Sequence, residues 1–370
     1  MCETITMRNV LMLLLCASWF AQQPGFAQQP GTPDPAKVEK EKAETENRII
    51  TTVQVVISPT TVLDKHGDYV NGLQLEDFQL YDNGKLQAVT ADVREEPLSL
   101  VVAVQKSANL NEILPKIQKI GSMLNDIIAG QDGVTAVLAF DHKWTIVQDF
   151  TSETGRINET MKNLKPGSTQ HAVDDAAMQG IRMLRGQPNN RRKVLLLIAE
   201  KRDKGSELHV REVLTEAEFA NVVIYSLDIS SAMAALTSTG MPPPPPSIPT
   251  TAQHLPAGAV LTPNSIDQQY YTGNYIPVFV DIFKGVKSLF VDDALDVFTR
   301  FTGGKEYSFI SEKSLERAVL GISQELHSQY LLSYSPNNKS EGGFHEIRVT
   351  VNRPQLEVRA RPGYWVAAQP

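Results

Sequence analysis

Four short apolar runs punctuate the middle of the chain, and helical periodicity fills the gaps between them. Leu98 to Val104 is almost wholly apolar and rich in valine. Val134 to Phe140, Lys193 to Ala199 and Val222 to Asp228 repeat the pattern. Runs of this length without alternation read as strands buried on both faces. After the first run, Lys106 to Asn109 is a polar turn. Asn111 then opens a helix with Ile113, Leu114, Ile117, Ile120, Leu124, Ile127 and Ile128 on one side. Thr154 to Leu164, His171 to Leu184 and Leu208 to Phe219 are further helices, and Thr145 to Gln148 is a short strand. Strands separated by helices predict a mostly parallel sheet covered on both sides. In such sheets a ligand sits beyond the strand ends, facing backbone N–H groups at the helix starts.

The flanks carry a different period. Thr51 to Ile57 is β-branched and partly alternating, and Thr60 to Asp64 reads as a second short strand. Asp64 and Asp68 flank a turn at Lys65-His66-Gly67, and Asn83-Gly84 signals a hairpin. Leu86 to Val93 returns as one more strand. Towards the C-terminus, two helical patterns end at Phe301 and Leu326, with Gly303-Gly304 between them. Gln329–Tyr334, His345–Asn352 and Leu356–Ala360 then read as strands.

Two stretches lack either period. Residues 28–48 are rich in Gln, Pro, Glu and Lys, and predict a flexible tether. Residues 231–275 contain the run Pro242 to Pro246, followed by Pro249, Pro256 and Pro263, and read as a polyproline-like spacer. The resulting division is 1–27 targeting segment, 28–48 linker, 49–96 small β-rich domain and 97–230 first part of an α/β domain. It continues with 231–275 insertion, 276–328 helical completion of that domain and 329–366 terminal strands.

Composition narrows the function classes. With 370 residues and 42% apolar content, the chain can bury a sizeable core. A formal charge of −7 without basic clusters argues against nucleic acid as a partner. Arg8, the apolar run Val10 to Phe20 and Gly25-Phe26-Ala27 read as a signal peptide cut after Ala27, with Ala21 the second choice. That makes the protein exported, periplasmic or secreted, and leaves no transmembrane helix in the mature chain. A lipoprotein anchored at Cys16 is the alternative, although Leu14-Leu15 lacks the small residue such sites favour. Cys2 and Cys16 both lie in that segment, so the processed chain has no disulfide and no thiolate chemistry.

The stretch Leu98 to Asn109 resembles the first strand and metal-binding loop of a von Willebrand factor type A domain. The order of further motifs is similar to that of the acidobacterial von Willebrand factor A-related group. Those motifs are Tyr81-Asp82-Asn83-Gly84-Lys85, Ser328 to Pro336, and Arg359-Ala360-Arg361-Pro362-Gly363-Tyr364. The resemblance spans about residues 49–366 without the insertion. It implies an α/β fold: a Rossmann-like, doubly wound, mostly parallel sheet with flanking β-rich elements from both terminal segments. It also implies a cation site built from three loops. On that alignment Gln105 stands where the family has Asp, followed by Ser107 and by Asn109 in place of Ser. Thr169 falls on the second loop and Glu200 on the third, in place of Asp.

This set is a poor cradle for Mg²⁺ or Ca²⁺. Such ions want hard oxygens, usually with one or two carboxylates among them. Here one carboxylate remains, longer by a methylene. Lys106 and Lys201 add positive charge beside it, and two like charges about 4 Å apart repel by about 4 kcal/mol at an effective dielectric of 20. The expectation is therefore a degenerate site, with Asp203 as a substitute carboxylate if weak Mg²⁺ or Ca²⁺ binding persists. Ser107, Asn109 and Thr169 are expected to cap helices, and Lys106 and Lys201 to pair with Glu200. Asp292, Asp293 and Asp296 read as helix-start carboxylates. The seven histidines show no ligand spacing, and no phosphate loop or nucleophile elbow occurs. Two functions follow. One is a non-catalytic binding or scaffold protein that contacts another protein of the envelope or extracellular space through its top face or β-edges. The other is a hydrolase using Glu200 or Asp203 as general base.

Overall fold

The computed structural model describes residues 55–92, 96–237, 276–284, 293–338 and 340–366. Residues 1–54, which hold the stretches read as signal peptide, with both cysteines, and as tether, lie outside the described residues, as does most of the proline-rich stretch. Among the described residues, no helix is long and apolar enough to cross a membrane.

In chain order the strands are β1 (Val56–Leu63), β2 (Phe78–Asp82), β3 (Lys85–Leu86), β4 (Val89–Asp92), β5 (Leu98–Gln105), β6 (Val134–Phe140) and β7 (Trp144–Thr151). They continue with β8 (Arg192–Ala199), β9 (Val222–Asp228), β10 (Glu306–Ser308), β11 (Tyr330–Tyr334), β12 (Gly343–Val351), β13 (Glu357–Ala360) and β14 (Gly363–Val366). The helices are α1 (Leu114–Lys119), α2 (Thr154–Lys162), α3 (Val173–Arg185), α4 (Val210–Ala220), α5 (Ser230–Thr237), α6 (Ile276–Lys284), α7 (Ala294–Thr302) and α8 (Glu312–Ser328). A further turn at Gly121–Met123 and a π-helical stretch at Leu124–Ala129 extend α1.

The central sheet runs β10-β9-β8-β5-β6-β7. Its pairings are parallel except β6 with β7. Strand β5 is buried at every position. Alternation sends Leu98, Leu100, Val102 and Val104 into one core with α1 and α8, and Val101 and Ala103 into another with α3, α4, α6 and α7. This is the doubly wound, von Willebrand factor A-like sheet that the resemblance implies. The pattern-based strands hold within a residue or so, except that the short one at Thr145 is the longer, exposed edge strand β7.

The flanking strands form two four-stranded sheets, β13-β1-β11-β4 and β14-β12-β2-β3. Each mixes strands from both ends of the chain, around a third core that includes Leu80, Leu332 and Tyr364. Several local expectations change here. The two strands read on either side of Pro59 are one strand, β1. Pro59 is tolerated because β13 pairs β1 only from Thr60 onward, so no partner lacks its missing N–H. The run Leu86 to Val93 splits into β3 and β4, which belong to different sheets. Helix α5 occupies the beginning of the stretch read as spacer, and α6 and β10 follow it. Asn83 (φ 48°) and Gly84 (φ 76°) make the expected turn, each left-handed.

Candidate functional site

Because β5, β6 and β8 are parallel, their C-terminal ends meet at one edge of the sheet. That edge carries Gln105, Asp141 and Glu200. Gln105 is fully buried, and its amide closes the gap between the first and third loops. Its Oε1 accepts the backbone N–H of Glu200 at 2.8 Å. A backbone N–H only donates, so the orientation of the amide is fixed. Its Nε2 must then donate to Ser107 Oγ (3.0 Å) and to Glu200 Oε2 (2.8 Å). Asn109 Nδ2 reaches the same Glu200 oxygen at 3.3 Å. His171, buried, brings Nδ1 to 3.4 Å of it. The other nitrogen of that ring, Nε2, lies 2.8 Å from the Arg202 carbonyl, which can only accept.

The oxygens expected to hold a cation thus already face amide hydrogens. An amide nitrogen that is donating offers no lone pair to a metal. The residues present do not fit the Mg²⁺ site of the resemblance. Among the described residues no three His, Cys, Asp or Glu side chains are grouped to hold a metal ion.

The remaining candidates are placed differently from expectation. Ser107 precedes a short 3-10 turn without capping it through its side chain. Asn109 lies within that turn, directed at Glu200. Thr169 is exposed on its loop and does not cap α3. Asp203 takes the capping role, accepting Val173 N–H at 2.6 Å together with both the N–H (3.0 Å) and the hydroxyl (2.7 Å) of Ser206. Nor do the two lysines pair with Glu200. Lys106 binds Asp141 at 2.8 Å, and Lys201 bridges Asp293 (2.6 Å) and Glu306 (2.7 Å). The cation nearest Glu200 is Lys204, 3.9 Å away.

Sequence reasoning missed two residues of the site. Asp141 ties the loops together, taking Lys106 Nζ, Ser168 N–H (3.0 Å) and Lys143 N–H (3.1 Å). Burial raises its carboxyl, but these three donors outweigh burial and hold it well below the usual carboxylate range. Gly167 makes room for it, since a Cβ there would lie 1.9 Å from Asp141 Oδ2. Glu306 is the second. Burial and the nearby Asp293 charge push its carboxyl up to about 7 against the opposing pull of Lys201. A lone Asp one residue past a buried strand is the only pattern that points to Asp141. Nothing local points to Glu306.

Comparison with known proteins gives partial likenesses. No family model matches the sequence, and no curated protein matches it. Among solved structures, an aerotolerance-related membrane protein from Bacteroides fragilis is 12% identical over 62% of this chain and 99% of its own (TM-score 0.35). BatB from Bacteroides thetaiotaomicron is 16% identical over 35% of this chain and 66% of its own (TM-score 0.31). Proximal thread matrix protein 1 from the mussel byssus, with a zinc-occupied MIDAS motif, is 11% identical over 66% of this chain, which spans 49% of that protein (TM-score 0.39). At such identities and scores no functional argument passes from them to this chain.

Proposed function

We propose that the chain is an exported, non-catalytic recognition or scaffold module whose loop face contacts another protein of the envelope or extracellular space without a bridging cation. The observation that carries this reading is the Gln105 amide. It is locked by the Glu200 N–H and donates to both oxygens a cation would need. The rim around it is polar and basic, with exposed His142, Lys143, Thr169 and Lys204. An ammonium group on that rim can receive a partner's carboxylate directly, the role a metal has in a bridged contact. The hydrolase reading loses support at the same point. Glu200 and Asp203 both accept from protein donors, and the titratable group beside Glu200, His171, is fully buried with its other ring nitrogen on the Arg202 carbonyl.

A pull-down of envelope proteins by the full chain tests the proposal. Partners are expected to be retained equally in EDTA and in millimolar Mg²⁺. Loss of every partner in chelator would overturn the cation-free reading. So would saturable micromolar Mg²⁺ or Mn²⁺ binding in calorimetry that disappears in Glu200→Ala.

A further inference from the structure

The opposite end of the central sheet carries a separate feature. A cavity of about 650 Å³ opens beside the starts of β8 and β9, within the size range of small-molecule sites. Val55, Ile57, Phe219, Val223, Phe301 and Leu331 give it apolar walls. Five cations also line it, and the four arginines are each anchored by a carboxylate or by two or more acceptors, although Arg192 Nε and Arg361 Nη2 have no hydrogen-bond partner among the described residues. Arg185 pairs with Glu216 at 2.5 Å. Arg191 donates to Ser99 Oγ and to the carbonyls of Leu98 and Asp132, each at 2.8 Å. Arg192 donates to the Leu326 carbonyl and to Gln329. Arg361 donates to the carbonyls of Gly363 and Ile57 and lies 4.0 Å from Glu218. The lining carboxylates are engaged as well: Glu218 by Arg361 and the Trp365 N–H, while the charge of Glu96 acts on Arg192.

Lys193 is the exception. It is only 7% exposed, yet its ammonium has a single hydrogen-bond partner, Asn189 Oδ1 at 3.3 Å, and no carboxylate within ion-pair distance among the described residues. Burial pulls its pKa down, the signature of a cation lacking its counter-charge. An ammonium has three donors, so two remain. The amide nitrogen of Asn189 is a further donor beside them.

We infer that this cavity is a binding site for an amphipathic organic anion: a carboxylate head received by Lys193 and Asn189, and an apolar body lying along Ile57, Val223, Phe301 and Leu331. The open ammonium hydrogens and the neighbouring Asn189 amide suit a carboxylate head. The walls account for the apolar body, because burying it removes hydrocarbon from water on both partners. The site is independent of the loop face, about 20 Å away along β8 at the strand rise of about 3.3 Å per residue.

Calorimetric titration of the full chain with decanoate, decylammonium and decanol tests the assignment. Saturable 1:1 binding of decanoate is expected, with decanol and decylammonium at least about tenfold weaker. Lys193→Met keeps the length and apolar stem but should weaken decanoate about tenfold or more, while Lys193→Arg stays within about threefold. Phe219, 75% exposed at the cavity, provides a variant that leaves the fold intact. Phe219→Glu should weaken decanoate by a larger factor than decanol. The inference fails if no saturable binding occurs or if decanol matches decanoate. It also fails if folded Lys193→Met, or Phe219→Glu, binds decanoate like the parent chain.

Discussion

Two carboxylates, Asp82 in the β-sandwich and Glu200 on the loop face, sit in polar clusters of similar make-up but opposite character. Both oxygens of Asp82 accept. Oδ1 takes His345 Nδ1 (2.7 Å) and Asn338 Nδ2 (2.9 Å), and Oδ2 takes the hydroxyls of Tyr334 (2.9 Å) and Tyr364 (2.7 Å). The far nitrogen of His345 lies 2.6 Å from the Glu341 carbonyl, which only accepts, so the ring donates there. Asp82 and His345 are fully buried; Asp82 ends β2, and its partners come from β11, β12, β14 and the turn after β11. Glu200 is different. Its side chain is 14% exposed, its Oε2 collects the amide donors, and its Oε1 lies 3.9 Å from Lys204. The first cluster is closed on every side and holds two sheets together. The second is closed below and open above.

The largest effect should come from neutralising the closed cluster. In Asp82→Asn the buried carboxylate loses its charge, and whichever side receives the new NH₂, either the Asn338 amide or the two tyrosine hydroxyls must turn to accept from it. A loss of about 3–5 kcal/mol is expected in chemical denaturation, as for one partner removed from a buried pair. A loss under about 1 kcal/mol would mean the cluster does not bind the sandwich together. The tyrosines there report the same strength. Burial and the Asp82 carboxylate raise both phenols, so neither should ionise before the fold opens in alkali.

A smaller effect lies at the rim of the open cluster. Glu306 has a folded pKa of about 7, above its ordinary 4.5. Between those values the folded chain holds the proton more tightly than the unfolded chain. The stability it contributes is therefore complete below about 4.5 and is lost as pH rises through about 7. Lys201, Asp293 and Asp228 are the charged groups facing it, and Lys201 opposes the other two. Stability should fall by about 1–2 kcal/mol from about pH 5 to about pH 8, and Glu306→Gln should flatten that slope. An unchanged slope in the variant would assign the pH dependence elsewhere.

The contrast between the clusters also sorts what a sequence can say. Burial on both faces leaves an unmistakable composition, so β5, β6, β8 and β9 are legible from their apolar runs. Asn83-Gly84 names its own turn because few residues accept a positive φ. Pairing between strands at the two ends of the chain is a tertiary choice, and no local period announces β1 against β11 and β13. Yet the motifs that carry the family resemblance outside the central sheet converge in space on Asp82, through Tyr334 and Tyr364. At the loop face the residue types Gln105, Ser107, Asn109 and Glu200 are readable and suggest a weakened ion cradle. The direction of the Gln105 amide is set by a backbone N–H from another loop, and only three-dimensional geometry supplies it. The same holds for Lys106 and Lys201, whose partners Asp141, Asp293 and Glu306 are brought near by the fold rather than by spacing.

The smallest effect is the one that tests the open character directly. In Glu200→Gln, the new carbonyl oxygen can take the place of Oε2 and keep the donors from Gln105 and Asn109. The new NH₂ then falls on the Oε1 side, which meets solvent and the weak Lys204 contact. The cost should be about 1 kcal/mol or less in denaturation. Partner capture should persist, because on this reading the partner meets the basic rim rather than the carboxylate. A cost approaching that of Asp82→Asn would make Glu200 a second structural lock, since only a carboxylate closed on both oxygens penalises its own amide so heavily.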